Sequence, residues 1–179
     1  MLQIAPSEGI ACGFTQMGGS YLKWIVASKY YDGVMEGVGE RTADGATVWF
    51  RALAWDDDQW RRVFAVAVIG SSLTRELLRE IDKVEKPRSP FRLPGASAEI
   101  PTVQNAWDEI VASALDAHEW SLVEAHDLLE PATEHALSKV ARSRISEMVS
   151  SNDFFEYSGC QLTEQVLQRI SQAQGDDPT

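Results

Sequence analysis

The prediction of the fold starts from the segment WFRALAWDDDQWRRVF, Trp49–Phe64. The run before its aspartates alternates, with Trp49 and Arg51 on one face and Phe50 on the other. The run after them carries apolar residues on both faces. Both patterns are typical of β-strands, the second of a strand that is covered on both sides. Between the two strands lie three consecutive carboxylates, Asp56–Asp58.

Aspartate favours turns because its carboxylate accepts hydrogen bonds from nearby backbone amides. A calcium loop would also need a glycine and a distal glutamate in register, and Asp56–Asp58 have neither. We therefore predict that this segment is the turn of an antiparallel hairpin and that it holds no metal.

Further strands are predicted on the N-terminal side of this hairpin. Ser20–Ser28 and Tyr30–Glu40 are rich in aromatic and β-branched residues, and TADG at Thr42–Gly45 is a turn signal. The segment GFTQMGGS, Gly13–Ser20, has the glycine spacing of a phosphate-binding loop, but it lacks the lysine and the following helix. We interpret it as a glycine turn between strands.

The tryptophans of the predicted sheet allow two interpretations. Trp24, Trp49, Trp55 and Trp60 all fall within it, and alternation places Trp49 and Trp55 on the same face. They either fill a core between sheet and helices or form an exposed aromatic surface that binds a partner.

Helices are predicted after the sheet. Ser72–Glu85 has helical spacing of its leucines, with Ser72 as the cap. A proline-rich connector follows over residues 86–102, and it contains a PxxP match of the kind that occurs often by chance. Two later helices are expected at Thr133–Ser150 and Thr163–Gln172.

The segment Val103–Glu130 predicts an amphipathic helix, with a break near His118–Ser121. Its apolar residues share one side and its carboxylates the other. The candidate partner-binding residues are Asp108, Glu109, Asp116, Glu119, Glu124, Asp127, Glu130 and Glu134.

The charge of the chain is concentrated in the same region. The formal net charge is −11, and residues 103–179 carry 4 basic and 14 acidic side chains. No Lys or Arg lies between Arg92 and Lys139. Such a surface disfavours direct nucleic-acid binding, which requires clustered cations, and it favours encounter with a basic protein.

No motif specifies catalysis, a metal or a cofactor. The histidines His118, His126 and His135 are too far apart in sequence for a helical zinc site, and no G-x-S-x-G is present. Cys12 and Cys160 are expected to be reduced thiols. No apolar run is long enough to span a membrane and no secretory signal is visible, so a cytoplasmic location is expected.

These observations predict an α+β protein: an N-terminal antiparallel β-sheet, a meander of about four or five strands, followed by helices packed on one face. We expect a single domain over residues 1–175, with a β-rich part (1–70), a helix (72–85), the connector (86–102) and a helical part (103–173).

The leading functional hypothesis is a non-enzymatic, immunity-type inhibitor whose acidic helix blocks a basic partner such as a nuclease, a toxin or a nucleic-acid-binding protein. The alternative is a small hydrolase or ligand-binding domain with a carboxylate-lined pocket between sheet and helices, with His126 as a candidate residue. A structural subunit of a larger assembly, or a homo-oligomer, is the third hypothesis.

Overall fold

The structure is a computed structural model that describes residues 14–16, 19–30, 33–56, 61–84, 91–92, 99–136, 154–156 and 161–173. The strands are β1 (Phe14–Gln16), β2 (Leu22–Tyr30), β3 (Val34–Arg41), β4 (Thr47–Asp56), β5 (Arg61–Val68), β6 (Phe91–Arg92), β7 (Trp120–Ala125), β8 (Thr133–Ala136) and β9 (Phe154–Glu156). The helices of these ranges are α1 (Ser71–Asp82), α2 (Pro101–Leu115) and α3 (Gln161–Ala173).

All these strands belong to one sheet. Its order is β1, β8, β7, β5, β4, β3, β2, β6, and β9 pairs with the end of β4. The pairings are antiparallel except that of β2 with β6. The α+β class is confirmed. The nine described strands exceed the four or five predicted, because β6 to β9 come from the second half of the chain.

The hairpin prediction for the aspartate triplet is confirmed by the pairing of β4 with β5. Asp56 is the last residue of β4 and lies opposite Arg61 of β5. Asp57 and Asp58 lie outside the described residues, as do Trp60, Cys12 and Cys160.

The neighbouring turn at Thr42–Gly45 joins β3 to β4 as predicted. Asp44 Oδ1 accepts a hydrogen bond from the Ala46 amide at 3.0 Å. Gly45 has a φ of +73°, a conformation that glycine adopts without steric cost. In the segment predicted as a glycine turn, Phe14–Gln16 instead forms β1.

The helix predicted over Val103–Glu130 is wrong after Leu115. Trp120–Ala125 forms β7, between β5 and β8, with Trp120 and Leu122 on one face and Val123 and Ala125 on the other. Pairing with β5 on one side and β8 on the other decides the conformation of this short apolar run.

The helix predicted over Thr133–Ser150 is likewise wrong at its start, where Thr133–Ala136 forms β8, and residues 137–150 lie outside the described ranges. The helices predicted at Ser72–Glu85 and Thr163–Gln172 are confirmed as α1 and α3. The cap residue of α1 is Gly70 rather than Ser72, and it makes no side-chain capping bond.

Both faces of the sheet are buried, against different neighbours. The helix-side core joins sheet residues such as Trp49 and Ala65 to Leu77 of α1, Ile110 of α2 and Val166 of α3. The inner core, on the opposite face, includes the following residues of strands and turns: Tyr21, Leu22, Ile25, Val48, Phe50, Phe64, Val66, Val123 and Leu128. None of the described helices contributes to the inner core.

The inner core is enclosed because the sheet curls. The Leu22 amide at the start of β2 donates to the Leu128 carbonyl at 2.8 Å, and the Tyr21 amide donates to the Glu130 carbonyl at 3.0 Å. Four strands separate β2 from β8 in the sheet, yet the start of β2 contacts the β7–β8 turn.

The tryptophans are divided between the two faces. Trp49 is fully buried in the helix-side core, where its ring packs edge-on against Trp120 at 6.2 Å. A register shift between Ala52 and Ala54 reverses the alternation of β4. Trp55 therefore faces the other side, with Arg62 over its ring, and the prediction that Trp49 and Trp55 share a face is wrong.

No helix in the described part of the chain is long and apolar enough to cross a membrane.

Candidate functional site

The eight carboxylates predicted to bind a partner do not share one helix face. Asp108 and Glu109 are exposed on α2, and Asp116 and Glu119 follow in the connection to β7, with side chains that are 78% and 68% exposed. The others are Glu124 on β7, Asp127 and Glu130 in the β7–β8 turn, and Glu134 on β8.

Cations from distant parts of the chain partly neutralise this region. Arg41, at the end of β3, lies 3.4 Å from Glu119 and 3.4 Å from Glu134. Arg169 of α3 lies 3.3 Å from Asp116. The stretch without Lys or Arg in the sequence is therefore not a surface without cations.

Glu134 is the centre of an internal hydrogen-bond network. Its Oε1 accepts from the Tyr21 hydroxyl at 3.0 Å, from Ser121 Oγ at 2.7 Å and from Arg41 Nη1 at 3.4 Å. Burial and the adjacent Glu134 carboxylate raise the pKa of the Tyr21 phenol above its usual range. These bonds link the start of β2 with β3, β7 and β8 at the point where the sheet curls. Glu134 therefore stabilises the curled form of the sheet.

Two of the three histidines, His126 and His135, lie next to carboxylates of the same region. His135 Nε2 lies 3.7 Å from a Glu124 oxygen between β8 and β7, and both side chains are largely buried. His126 and Glu130 form an exposed pair at 3.4 Å. Within the ranges that the structure describes, no three His, Cys, Asp or Glu side chains come together as a metal site would require.

A groove of about 400 Å³ lies on the helix side of the sheet, between β2 and β3 on one wall and α2 on the other. The buried face of α2 holds Trp107 and Ile110, and Trp107 also lines the groove. The lining residues are Ser28, Lys29, Glu36, Gln104, Trp107, Asp108, Val111, Ala112, Leu115 and Leu162.

The sheet wall of the groove includes Glu36, which forms a buried ion pair with Arg51 of the neighbouring strand. Glu36 of β3 and Arg51 of β4 are direct neighbours in the sheet, and Arg51 Nη1 donates to Glu36 Oε2. Only 4% of Glu36 and 6% of Arg51 is exposed. Lys29 Nζ lies 3.7 Å from the same Glu36 oxygen, and its side chain is 57% exposed at the mouth of the groove.

The helix wall combines apolar and polar side chains. Trp107, Val111 and Leu115 recur at helical spacing along α2 and are buried or half-buried. Gln104 Nε2 donates to Asp108 Oδ1 at 2.8 Å along the exposed edge of the same helix. The groove therefore has an apolar wall with charged groups on both sides.

This arrangement offers apolar and charged groups to a bound molecule. The carboxylate of Glu36 is held by the Arg51 guanidinium and so has a fixed partner. His118, His126 and His135 do not line the groove. Its side chains can provide apolar contact, one cation at the mouth and one exposed carboxylate.

Asp108 is the only lining residue among the carboxylates singled out from the sequence. Lys29, Glu36 and Arg51 were missed as site residues. A signal was present, because Arg51 lies among apolar residues on one face of TVWFRALAW and Glu36 interrupts the strand VMEGVGE. A charged side chain on the buried face of a strand needs a partner, and here the two are partners of each other.

Comparison of the chain with family models, with curated proteins and with solved structures gives no match in any of the three.

Proposed function

We propose that the protein binds a small amphipathic molecule in the groove between β2, β3 and α2, without transforming it chemically. The observation that carries this proposal is the groove itself, in which the apolar wall of Trp107, Val111 and Leu115 faces the buried Glu36–Arg51 pair. This is the ligand-binding form of the alternative hypothesis, and the hydrolase form stays a prediction from the sequence.

Volume and lining both fit a small-molecule site. Ligand pockets measure roughly 300–1,000 Å³ and combine apolar walls with a few fixed polar groups. The groove of about 400 Å³ has that composition. The sheet residues are fixed by strand pairing, and Trp107 is anchored in the helix-side core, so the walls are formed before a ligand arrives.

The test is a binding screen with the full chain, in which amphipathic fragments are added and backbone and methyl NMR signals are followed. We expect shifts of the Val111, Ala112 and Leu162 signals. Ala112→Phe adds a large side chain to the groove wall and should abolish them, whereas Asn105→Phe, at an exposed α2 position outside the groove, should not. Fragments that bind equally well to both variants would show that the groove is not the site.

The acidic-inhibitor hypothesis remains a second proposal, supported by the exposure of Asp108 and Glu109 in the middle of α2 and of Asp116 and Glu119 beyond its end. A basic partner would approach this surface by electrostatic steering. The expected cytoplasmic location and self-association stay predictions from the sequence.

Charge reversal tests this second proposal. The double variant Asp108→Lys/Glu109→Lys should weaken a basic partner captured from the native host, and the loss should shrink as salt is raised, because screening removes the attraction. Glu99→Lys, at an exposed position before α2, is the control with a similar change of charge per site. Unchanged capture by the double variant would rule out this surface.

A further inference from the structure

We propose that the ligand of the groove is a zwitterion with an apolar body, of the class of α-amino acids with large apolar side chains. This inference rests on the proposed function, and it follows from how charge is distributed between the two walls.

The exposed charge on the described part of the sheet wall is positive. Glu36 is shared by two cations, with Arg51 donating directly and Lys29 Nζ at 3.7 Å. Arg51 and Glu36 are both buried, so the exposed ammonium of Lys29 is the charge of this wall that faces solvent in the groove. An anionic group of a ligand is the natural partner of Lys29.

The helix wall has one surplus negative charge. Asp108 is exposed, and Gln104, which donates to it, is neutral. Within the described parts of the chain no cation lies within ion-pair distance of Asp108, although it lines the same groove as Lys29. A ligand ammonium would be the natural partner of this carboxylate.

A ligand with one charge would leave one wall unsatisfied. An apolar anion would cover Asp108 with no cation to offset its desolvation, and an apolar cation would cover Lys29 with only the Glu36 carboxylate beside it, which Arg51 already engages. An anion is further disfavoured by the net charge of −11. A zwitterion satisfies both walls, and its apolar part can pack on Trp107, Val111 and Leu115.

The decisive experiment titrates the full chain with L-phenylalanine and two analogues that each lack one charge, 3-phenylpropanoate without the ammonium and 2-phenylethylamine without the carboxylate. NMR shifts of Val111 and Ala112 report occupancy of the groove. We expect L-phenylalanine to bind about tenfold more tightly than either analogue, the effect of one charge-assisted contact.

Two variants test whether Lys29 contacts the carboxylate of the ligand and Asp108 its ammonium. Lys29→Gln should weaken L-phenylalanine and 3-phenylpropanoate about tenfold and leave 2-phenylethylamine unchanged. Asp108→Asn should weaken L-phenylalanine and 2-phenylethylamine and leave 3-phenylpropanoate unchanged. Glu109→Gln, at the exposed position next to Asp108 but outside the groove, should change none of the three. Lys29 and Asp108 are exposed, so both variants are expected to fold.

The outcomes separate the two proposals. If an analogue with one charge binds in the groove as tightly as L-phenylalanine, or if the variants do not discriminate among the three, the zwitterion assignment is wrong while the groove remains a binding site. If no amphipathic fragment of any charge shifts the groove signals, the proposed function itself fails.

Discussion

The two faces of the sheet are both buried, but their polar side chains have different surroundings. On the inner side, Tyr21, Ser121 and Arg41 all donate to a single oxygen of Glu134, at the place where the sheet curls. On the helix side, the ion pair of Glu36 and Arg51 lies in the wall of an open groove.

The difference shows what covers each face. The inner core is closed by the sheet's own curvature, so its polar network joins strand to strand and has internal partners. The helix side is covered by separate elements that do not meet everywhere, and the gap leaves Lys29 and Asp108 facing solvent. We call the hydrogen bonds that Glu134 accepts the closing network of the inner side. We expect this network to contribute to stability and the open groove to contribute to binding.

The largest effect on the free energy of unfolding is predicted for two adjacent residues of β4, one in each core. Trp49 packs in the helix-side core and Phe50 in the inner core, where its ring lies edge-on to Phe64 at 5.9 Å. Trp49→Ala and Phe50→Ala should each lower the free energy of unfolding by about 4 kcal/mol, measured by urea denaturation. Val84→Ala, at a 50% exposed position, is the control.

A cost of Phe50→Ala below about 1.5 kcal/mol would be too small for a truncated core aromatic ring. In that case the inner side would not be a packed core, and the comparison between the two faces would fail.

The next effect concerns the buried ion pair of the groove wall. Glu36→Gln leaves the Arg51 guanidinium buried without its carboxylate and should lower the free energy of unfolding by about 3 kcal/mol. Glu40→Gln, on the same strand, removes a partly exposed pair with Lys23 and should cost less than about 1 kcal/mol. Chemical denaturation of both variants tests the difference.

A double variant, Glu36→Met/Arg51→Met, sharpens this prediction. Replacing both charged side chains by apolar ones removes the buried guanidinium together with the buried carboxylate, so much of the lost stability should return. If the double variant is less stable than Glu36→Gln, the pair is not the source of the loss.

A smaller effect is expected from the network that closes the inner side. Tyr21→Phe removes the hydroxyl that donates to Glu134 and should cost about 1.5 kcal/mol at neutral pH. Because the pKa of Tyr21 is raised in the folded state, the unfolded chain loses this proton first as the pH rises above about 10. Stability of the unsubstituted protein should therefore fall in that range.

Tyr21→Phe should lack this alkaline component, so its free energy of unfolding should fall less steeply between about pH 9 and pH 11. Parallel slopes for the two proteins would contradict a raised pKa of the phenol.

The parts of the fold that could be predicted from the sequence are those with local signals. The strands β2 to β5 are rich in β-branched and aromatic residues and are separated by turn residues, and α1 and α3 have a helical period. The run WSLVEA is different, because its six residues fit both a strand and the continuation of a helix. Its pairing with β5, which decides the conformation, is a contact with a segment about sixty residues away in sequence.

The candidate site was harder to predict because its residues come from separate elements. Lys29, Glu36 and Asp108 are contributed by β2, β3 and α2, and no spacing along the chain encodes their proximity. The same holds for the acidic region, where Arg41 and Arg169 approach from distant positions. Composition gave the net charge of that segment and not that of its surface.

The smallest predicted effect lies at the edge of the closing network, in the β3–β4 turn. Hydrogen bonds from Arg41, and one from the Ala46 amide, lower the pKa of Asp44 to about 2. In the unfolded chain an aspartate titrates near about 3.9. The charged form is therefore favoured by folding, and its contribution is fully present above about pH 4 and is lost as the pH falls through about 2.

Asp44→Asn isolates this contribution because the amide oxygen can still accept from the Ala46 amide while the charge is gone. The variant should be slightly less stable than the unsubstituted protein at pH 5, and the gap should close as the pH is lowered, as followed by urea midpoints. The gap is small because 49% of the Asp44 side chain is exposed, and added salt should narrow it. If the difference in stability between the two proteins persists unchanged at low pH and high salt, its cause is the conformation of the turn. The ion pair with Arg41 would then contribute nothing to the stability of the inner side.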